Sequence, residues 1–216
     1  MRAFPGGRAC GALLALIFLT LPWAVTARQV NDLGPAISAY QQGDYQQAYQ
    51  LFEPLAKQGD HGAQFYLALM YNNGQGVEES TDQTLRWLRK SAKGGEPAAL
   101  SLLGKFYAAG RGVKQSFTSA RRYWIRAAKR GDLDAQVSLA QLYSSGEAGK
   151  PQLTKAVEWW KRAAKQGHAD SQYRLGMMYD AGKGGLKKSA KRARDWWQKA
   201  AAQGHADAQL ALARSQ

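Results

Sequence analysis

Three histidines, sixteen acidic side chains and one cysteine are the residues of this 216-residue chain best suited to acid–base, nucleophilic or metal chemistry. A metal site needs its His, Cys and carboxylate ligands at short, recognisable spacings. His61, His168 and His205 lie far apart and read instead as surface residues at helix starts. Glu78 and Glu79 form a loop pair, and Asp134, Asp170 and Asp207 recur in a phrase ending in Ala/Ser-Gln, which suits the opening of a helix. Paired carboxylates for acid–base work must converge on one pocket, and nothing in the spacing brings these together. The sequence therefore predicts no catalytic residue, no metal and no cofactor.

Charge is the second chemical resource. Lys and Arg number 30 against 16 acids, a formal net charge of +14. Residues 111–130 hold Arg111, Lys114, Arg121, Arg122, Arg126, Lys129 and Arg130 with no acid, and residues 183–199 hold Lys187, Lys188, Lys191 and Arg192 with Asp195 as the one acid. Such stretches are solvated helix faces or attract an anionic partner. Trp87, Trp159-Trp160 and Trp196-Trp197 could stack on sugars or bases, but their fixed register favours a place in the core.

The elements that position these residues come after a leader. Arg2 and Arg8 precede the apolar run Ala12 to Leu21, and Val25 and Ala27 are small at the −3 and −1 positions of a cut. This is the layout of a signal peptide over 1–27, cleaved near Ala27. The run is shorter than the roughly 20 residues that span a bilayer. Cys10 precedes it, whereas a lipid-bearing cysteine would follow it, and no arginine pair suggests the twin-arginine route. The mature chain would be free of cysteine, strongly basic, without a transmembrane segment, and periplasmic or secreted.

From there the chain repeats. Gly59, Gly95, Gly131, Gly167 and Gly204 are spaced by 36, 36, 36 and 37 residues. Leu67, Leu103, Leu139 and Leu175 keep the same register, as do Tyr71, Tyr107, Tyr143 and Tyr179, and the aromatic column Trp87, Tyr123, Trp159 and Trp196. Within each unit the apolar spacing is helical, giving a first helix A and a second helix B. Small residues at Ala68, Gly104, Ala140 and Gly176 admit a close neighbour. B helices end in Lys or Arg with Gly just after, as in Ala128-Lys129-Arg130-Gly131, where Gly takes a left-handed turn. The A–B loops, Gly74-Gln75-Gly76-Val77 and Gly110-Arg111-Gly112-Val113, lack the Lys-Ser/Thr of a phosphate loop, so the glycines read as structural.

The phrase Ala-x3-Leu-Ala/Gly-x2-Tyr-x2-Gly-x-Gly-Val, followed by Ala-x2-Tyr/Trp-Trp-x2-Ala-Ala-x2-Gly, resembles the Sel-one-like repeat (SLR) family, relatives of the tetratricopeptide repeat. Four units are clear, 60–95, 96–131, 132–167 and 168–204; the third departs at Gly146-Glu147-Ala148-Gly149 and the fourth at Ser171 and Gly184-Gly185-Leu186. Residues 28–59 read as a tetratricopeptide-like helix pair, with a bend expected at Pro54, and 205–216 as a lone capping helix. The resemblance implies an all-α, right-handed superhelical α/α solenoid of eleven helices, with A helices concave and B helices convex. It also implies an interaction scaffold. Some cysteine-rich members are associated with penicillin binding and β-lactam hydrolysis, but this chain has no mature cysteine and no Ser-x-x-Lys, so an enzyme is not expected.

Positions between the packing columns vary from unit to unit: Phe65/Ser101/Val137/Tyr173, Leu69/Lys105/Gln141/Met177 and Asn72/Ala108/Ser144/Asp180. Their i, i+4, i+7 spacing puts them on one helix face. They are the expected partner groove, apolar towards its ends and polar between, reading a segment of another protein. Arg121, Arg122, Arg126, Lys187, Lys188, Lys191 and Arg192 are the expected face for the alternative partner, an anionic envelope polymer or lipid. Nucleic acid is not expected.

Overall fold

A computed structural model describes residues 32–215. The leader, its cut site and Cys10 lie outside the described residues. Eleven helices follow in order: α1 Gly34–Gln41, α2 Tyr45–Gln58, α3 His61–Asn73, α4 Thr81–Gly94, α5 Pro97–Ala109, α6 Phe117–Ala128, α7 Leu133–Ser145, α8 Leu153–Lys165, α9 Ala169–Ala181, α10 Ala190–Ala201 and α11 Ala206–Arg214. Odd-numbered helices are A helices and even-numbered ones B helices.

Each helix packs against its neighbours in sequence, so the core runs from unit to unit as in a solenoid. Its columns are those of the repeat: Leu67, Leu103, Leu139 and Leu175 are fully buried, as are Ala63, Ala99 and Ala135. α5 also meets α7, and an ion pair from Lys105 to Asp134 and a contact from His205 to Asp170 join α5 to α7 and α9 to α11, so A helices of successive units approach on one side. The A helices thus form the inner layer and the B helices the outer.

The A helices from α3 onward are capped by one column of the repeat. Asp60, Glu96 and Asp132 accept from backbone N–H groups at the start of α3, α5 and α7. His168 and His205 do so for α9 and α11 through Nδ1. Two of the three histidines are therefore helix caps; His61 instead pairs its Nδ1 with Gln64 Oε1 at 3.3 Å. Helix α2 continues through Pro54, whose missing N–H falls on an exposed position. In the A–B loops a Cβ at Gly112 would overlap Thr81 of α4, which explains the glycine by close packing on the preceding unit.

Candidate partner-binding surfaces

The inner layer is close to neutral. Helices α3, α5, α7, α9 and α11 carry three Lys/Arg and four acids between them. Lys105 pairs with Asp134, and Arg174 Nε with Asp170 Oδ2 at 2.7 Å. Hollows open between successive inner helices. Phe65, Leu69, Ala98, Ser101, Leu102 and Lys105 line one of about 200 Å³, at the α3–α5 step. Lys105, Phe117, Trp124, Ser138, Gln141 and Glu147 line another of about 460 Å³. At the far end Tyr173, Met177, Trp197 and Leu210 border a third of about 420 Å³. Met177 and Leu210 are 40% and 55% exposed, the large apolar side chains most open to solvent among the described residues.

Seven of the nine expected groove residues thus line these hollows: Phe65, Leu69, Ser101, Lys105, Gln141, Tyr173 and Met177. Ser101 needs correction. It is buried, its hydroxyl lacks a partner among the described residues, and its carbonyl accepts the indole N–H of Trp124 at 3.0 Å, so it is floor and not contact surface. Asn72 is also committed, its Oδ1 accepting from Arg111 Nη1 at 3.0 Å while Arg111 Nη2 pairs with Glu79 at 2.9 Å. Val137 is half-buried. Tyr173 stacks on the α11 cap His205 at 4.8 Å, which ties it to the fold as well as to the groove.

The outer layer has the opposite character. Helices α4, α6, α8 and α10 carry fifteen Lys/Arg and three acids. None of those cations forms an ion pair with an acid among the described residues. Arg122, Lys187, Lys188, Lys191 and Arg192 are exposed, and Arg121 is half-buried. Arg122 lies 5.6 Å from the Tyr123 ring centre and Arg192 5.5 Å from that of Tyr179. Arg126 has a structural task that its place in a charge run hides: its Nη2 donates to the Ala92 carbonyl at 3.2 Å.

The tryptophans divide into two columns. Leu88, Trp124, Trp160 and Trp197 are the buried one. The neighbouring column is less enclosed, with Trp87 buried but Tyr123, Trp159 and Trp196 only half-buried, so the expected core place holds for part of it. At the N-terminal joint, burial and then the Tyr71 hydroxyl push the Tyr49 hydroxyl above its ordinary range. A hydrogen bond from Lys57 pulls the Glu53 carboxyl down. Among the described residues no group of His, Cys, Asp and Glu is placed to hold a metal. No described helix is long and apolar enough to cross a membrane.

Comparison with known proteins settles the family. The Sel1 repeat model matches residues 31–60, 61–96, 97–132, 133–168 and 169–205. The chain is a Sel1 repeat protein. The match takes in the short opening pair as a fifth repeat. A Sel1 repeat protein from Oxalobacter formigenes is 36% identical, with a TM-score of 0.75 over 80% of this chain and 49% of that one. c5321, described as a protective antigen present in uropathogenic Escherichia coli strains and displaying an SLR fold, is also 36% identical, with a TM-score of 0.71 over 81% of this chain and 38% of that one. This Sel1 repeat protein therefore spans half or less of those two neighbours. A third, from Klebsiella pneumoniae subsp. pneumoniae, shares the fold at 24% identity and a TM-score of 0.53, over 83% of this chain and 89% of that one. No curated protein matches the chain. Sel1 repeat proteins generally serve as protein-interaction scaffolds, and the fold is typically non-catalytic.

Proposed function

We propose that this Sel1 repeat protein is a non-catalytic scaffold of the bacterial cell envelope that holds a segment of another protein in its inner groove. The observation that carries the reading is the exposure of Met177 and Leu210 on one hollow, where Asp180, Asp207 and Arg214 supply a charged rim beside them. Apolar side chains left open by repeat packing suit an amphipathic segment, with a few anchors carrying most of the affinity. The leader layout supports the envelope as its place of work. A second reading is favoured by the unpaired outer cations: that layer binds an anionic envelope polymer or lipid.

The test expresses the chain with residues 1–27 in a bacterial host, recovers it from the envelope fraction and uses it to capture partners at high salt. Leu69→Ala with Met177→Ala is the variant of choice, because Tyr173 is tied to the α11 cap. The pair is expected to keep its melting temperature within a few degrees and to lose the salt-resistant protein partner. Unfolding would place these side chains in the core. Capture of the same partner at unchanged affinity would move the binding site off the groove.

A further inference from the structure

The repeat register sets one cation at the same place on each outer helix of the four clear units: Lys90, Arg126, Arg162 and Lys199. All four are exposed, and none has an acidic partner among the described residues. Three lie over the ring three positions earlier. Lys90 Nζ is 4.3 Å from the centre of Trp87, the Arg162 guanidinium 4.6 Å from Trp159 and Lys199 Nζ 4.4 Å from Trp196. The fourth, Arg126, is held by the Ala92 carbonyl. Each charge thus has a contact that favours one placement before any ligand arrives, which lowers the ordering cost of binding. Between α4 and α6 the row borders a hollow of about 260 Å³, where Arg89, Lys93 and Arg126 surround Tyr123.

We propose that this row is a track for a narrow, flexible polyanion, an acidic polysaccharide, lying lengthwise across the outer helices with one anionic group engaged per unit. One such group sits among Arg89, Lys93 and Arg126. The inference rests on the second reading above, that the outer layer binds an anion, and adds to it a direction, a set of residues and a ligand class. The row follows the repeat, so a thin chain can meet every cation in turn. A flat bilayer or a rigid duplex touches the outside of a curved array at one place and leaves the terminal cations unengaged. Single-stranded nucleic acid binding draws on free aromatic faces for base stacking. Here Trp87 is buried, and Trp159 and Trp196 each have a cation over the ring.

The test measures binding of polygalacturonate fractions of increasing length to the mature chain at low and at physiological salt. Affinity is expected to rise with length until the polymer spans four units and then to level off. Lys90→Glu with Arg162→Glu is expected to weaken binding of the long fraction about tenfold or more, while the charge-matched Lys187→Glu with Lys188→Glu weakens it about threefold or less. Melting temperatures serve as the folding control, and Lys90→Gln with Arg162→Gln gives the same ordering if charge reversal disturbs the fold. Equal losses in the two pairs, or no dependence on length, would overturn the track while leaving a diffuse anion-binding face. No binding of any fraction at low salt would remove the second reading itself. Tighter binding of phosphatidylglycerol vesicles or of duplex DNA than of the polymer would overturn the ligand class.

Discussion

In the column Ala68, Gly104, Ala140 and Gly176, one methyl group accompanies the difference between a bonded and an unbonded indole. The Trp124 N–H donates to the Ser101 carbonyl, and the Trp197 N–H to the Tyr173 carbonyl at 3.2 Å. A Cβ on Gly104 or Gly176 would overlap those indole nitrogens. Where the column holds Ala140, the Trp160 N–H is buried without a partner among the described residues. Where it holds Ala68, the B helix offers Leu88 in place of the tryptophan. Gly104→Ala should therefore destabilise the protein by about 1–3 kcal/mol through overpacking, although alanine is the better helix former. Ala68→Gly should lose the helix-propensity difference of about 1 kcal/mol and about 0.8 kcal/mol more for the buried methyl, with no overpacking. Urea unfolding of the two variants checks this; a raised midpoint for Gly104→Ala would contradict the packing. The sequence made the small column legible as a place of close approach. It did not show that the approaching group is the unit's own indole, because Trp159-Trp160 and Trp196-Trp197 put two aromatics side by side and register alone cannot say which points inward.

Between elements, the joints are stapled by a residue whose repetition is visible in the sequence but whose task is not. Gln64, Gln136 and Gln172 are buried, and each Nε2 donates to a carbonyl at the end of the preceding B helix, respectively Ala56 at 3.0 Å, Ala128 at 3.3 Å and Ala164 at 3.1 Å. Each of these carbonyls already accepts the N–H of the glycine that ends its helix, from Gly59, Gly131 and Gly167 respectively, so the staple fills the second lone pair and ties the next A helix to that cap. In the second unit the column holds Leu100, and the corresponding carbonyl, Ala92, is taken by Arg126 from the next B helix. The Ala92 carbonyl keeps the Gly95 N–H, so Arg126→Ala should cost about 1 kcal/mol, the worth of one hydrogen bond between units. Adding Leu100→Gln should recover part of the loss by restoring the staple used at the other joints. Chemical denaturation of the single and double variants tests this. A double variant no more stable than the single one would mean that Arg126 acts through its packing instead. The helix pairs and their order followed from periodicity and glycine placement, whereas the capping role of His168 and His205 did not. A substitution compensated by a residue twenty-six positions away, on a different helix, leaves no mark in either.

At the scale of the whole molecule, the two layers differ in charge far more than the overall composition suggests. The inner helices are close to neutral, and the outer helices of the four clear units, α4, α6, α8 and α10, carry fifteen cations against three acids, with none of those cations in an ion pair among the described residues. This segregation was partly legible, since the basic runs fall on B helices. That the cations find no acidic partners depends on three-dimensional proximity and had to come from the structure. Like charges held on one layer repel, and the folded array keeps them closer together than the unfolded chain does. Screening should then favour the folded state. Raising ionic strength from 0.01 M to 0.15 M shortens the screening length from about 30 Å to about 8 Å. The melting temperature should rise over that interval. A chloride salt is the suitable choice, because sulfate would add its own stabilisation by exclusion from the protein surface. The Lys90→Glu, Arg162→Glu pair should show a smaller rise, since it removes two of the like charges and adds two opposite ones to the layer. A melting temperature that is flat or falls with salt in the parent protein would mean that weak attractions, such as Lys105 with Asp134 and Arg174 with Asp170, outweigh repulsion among the outer cations.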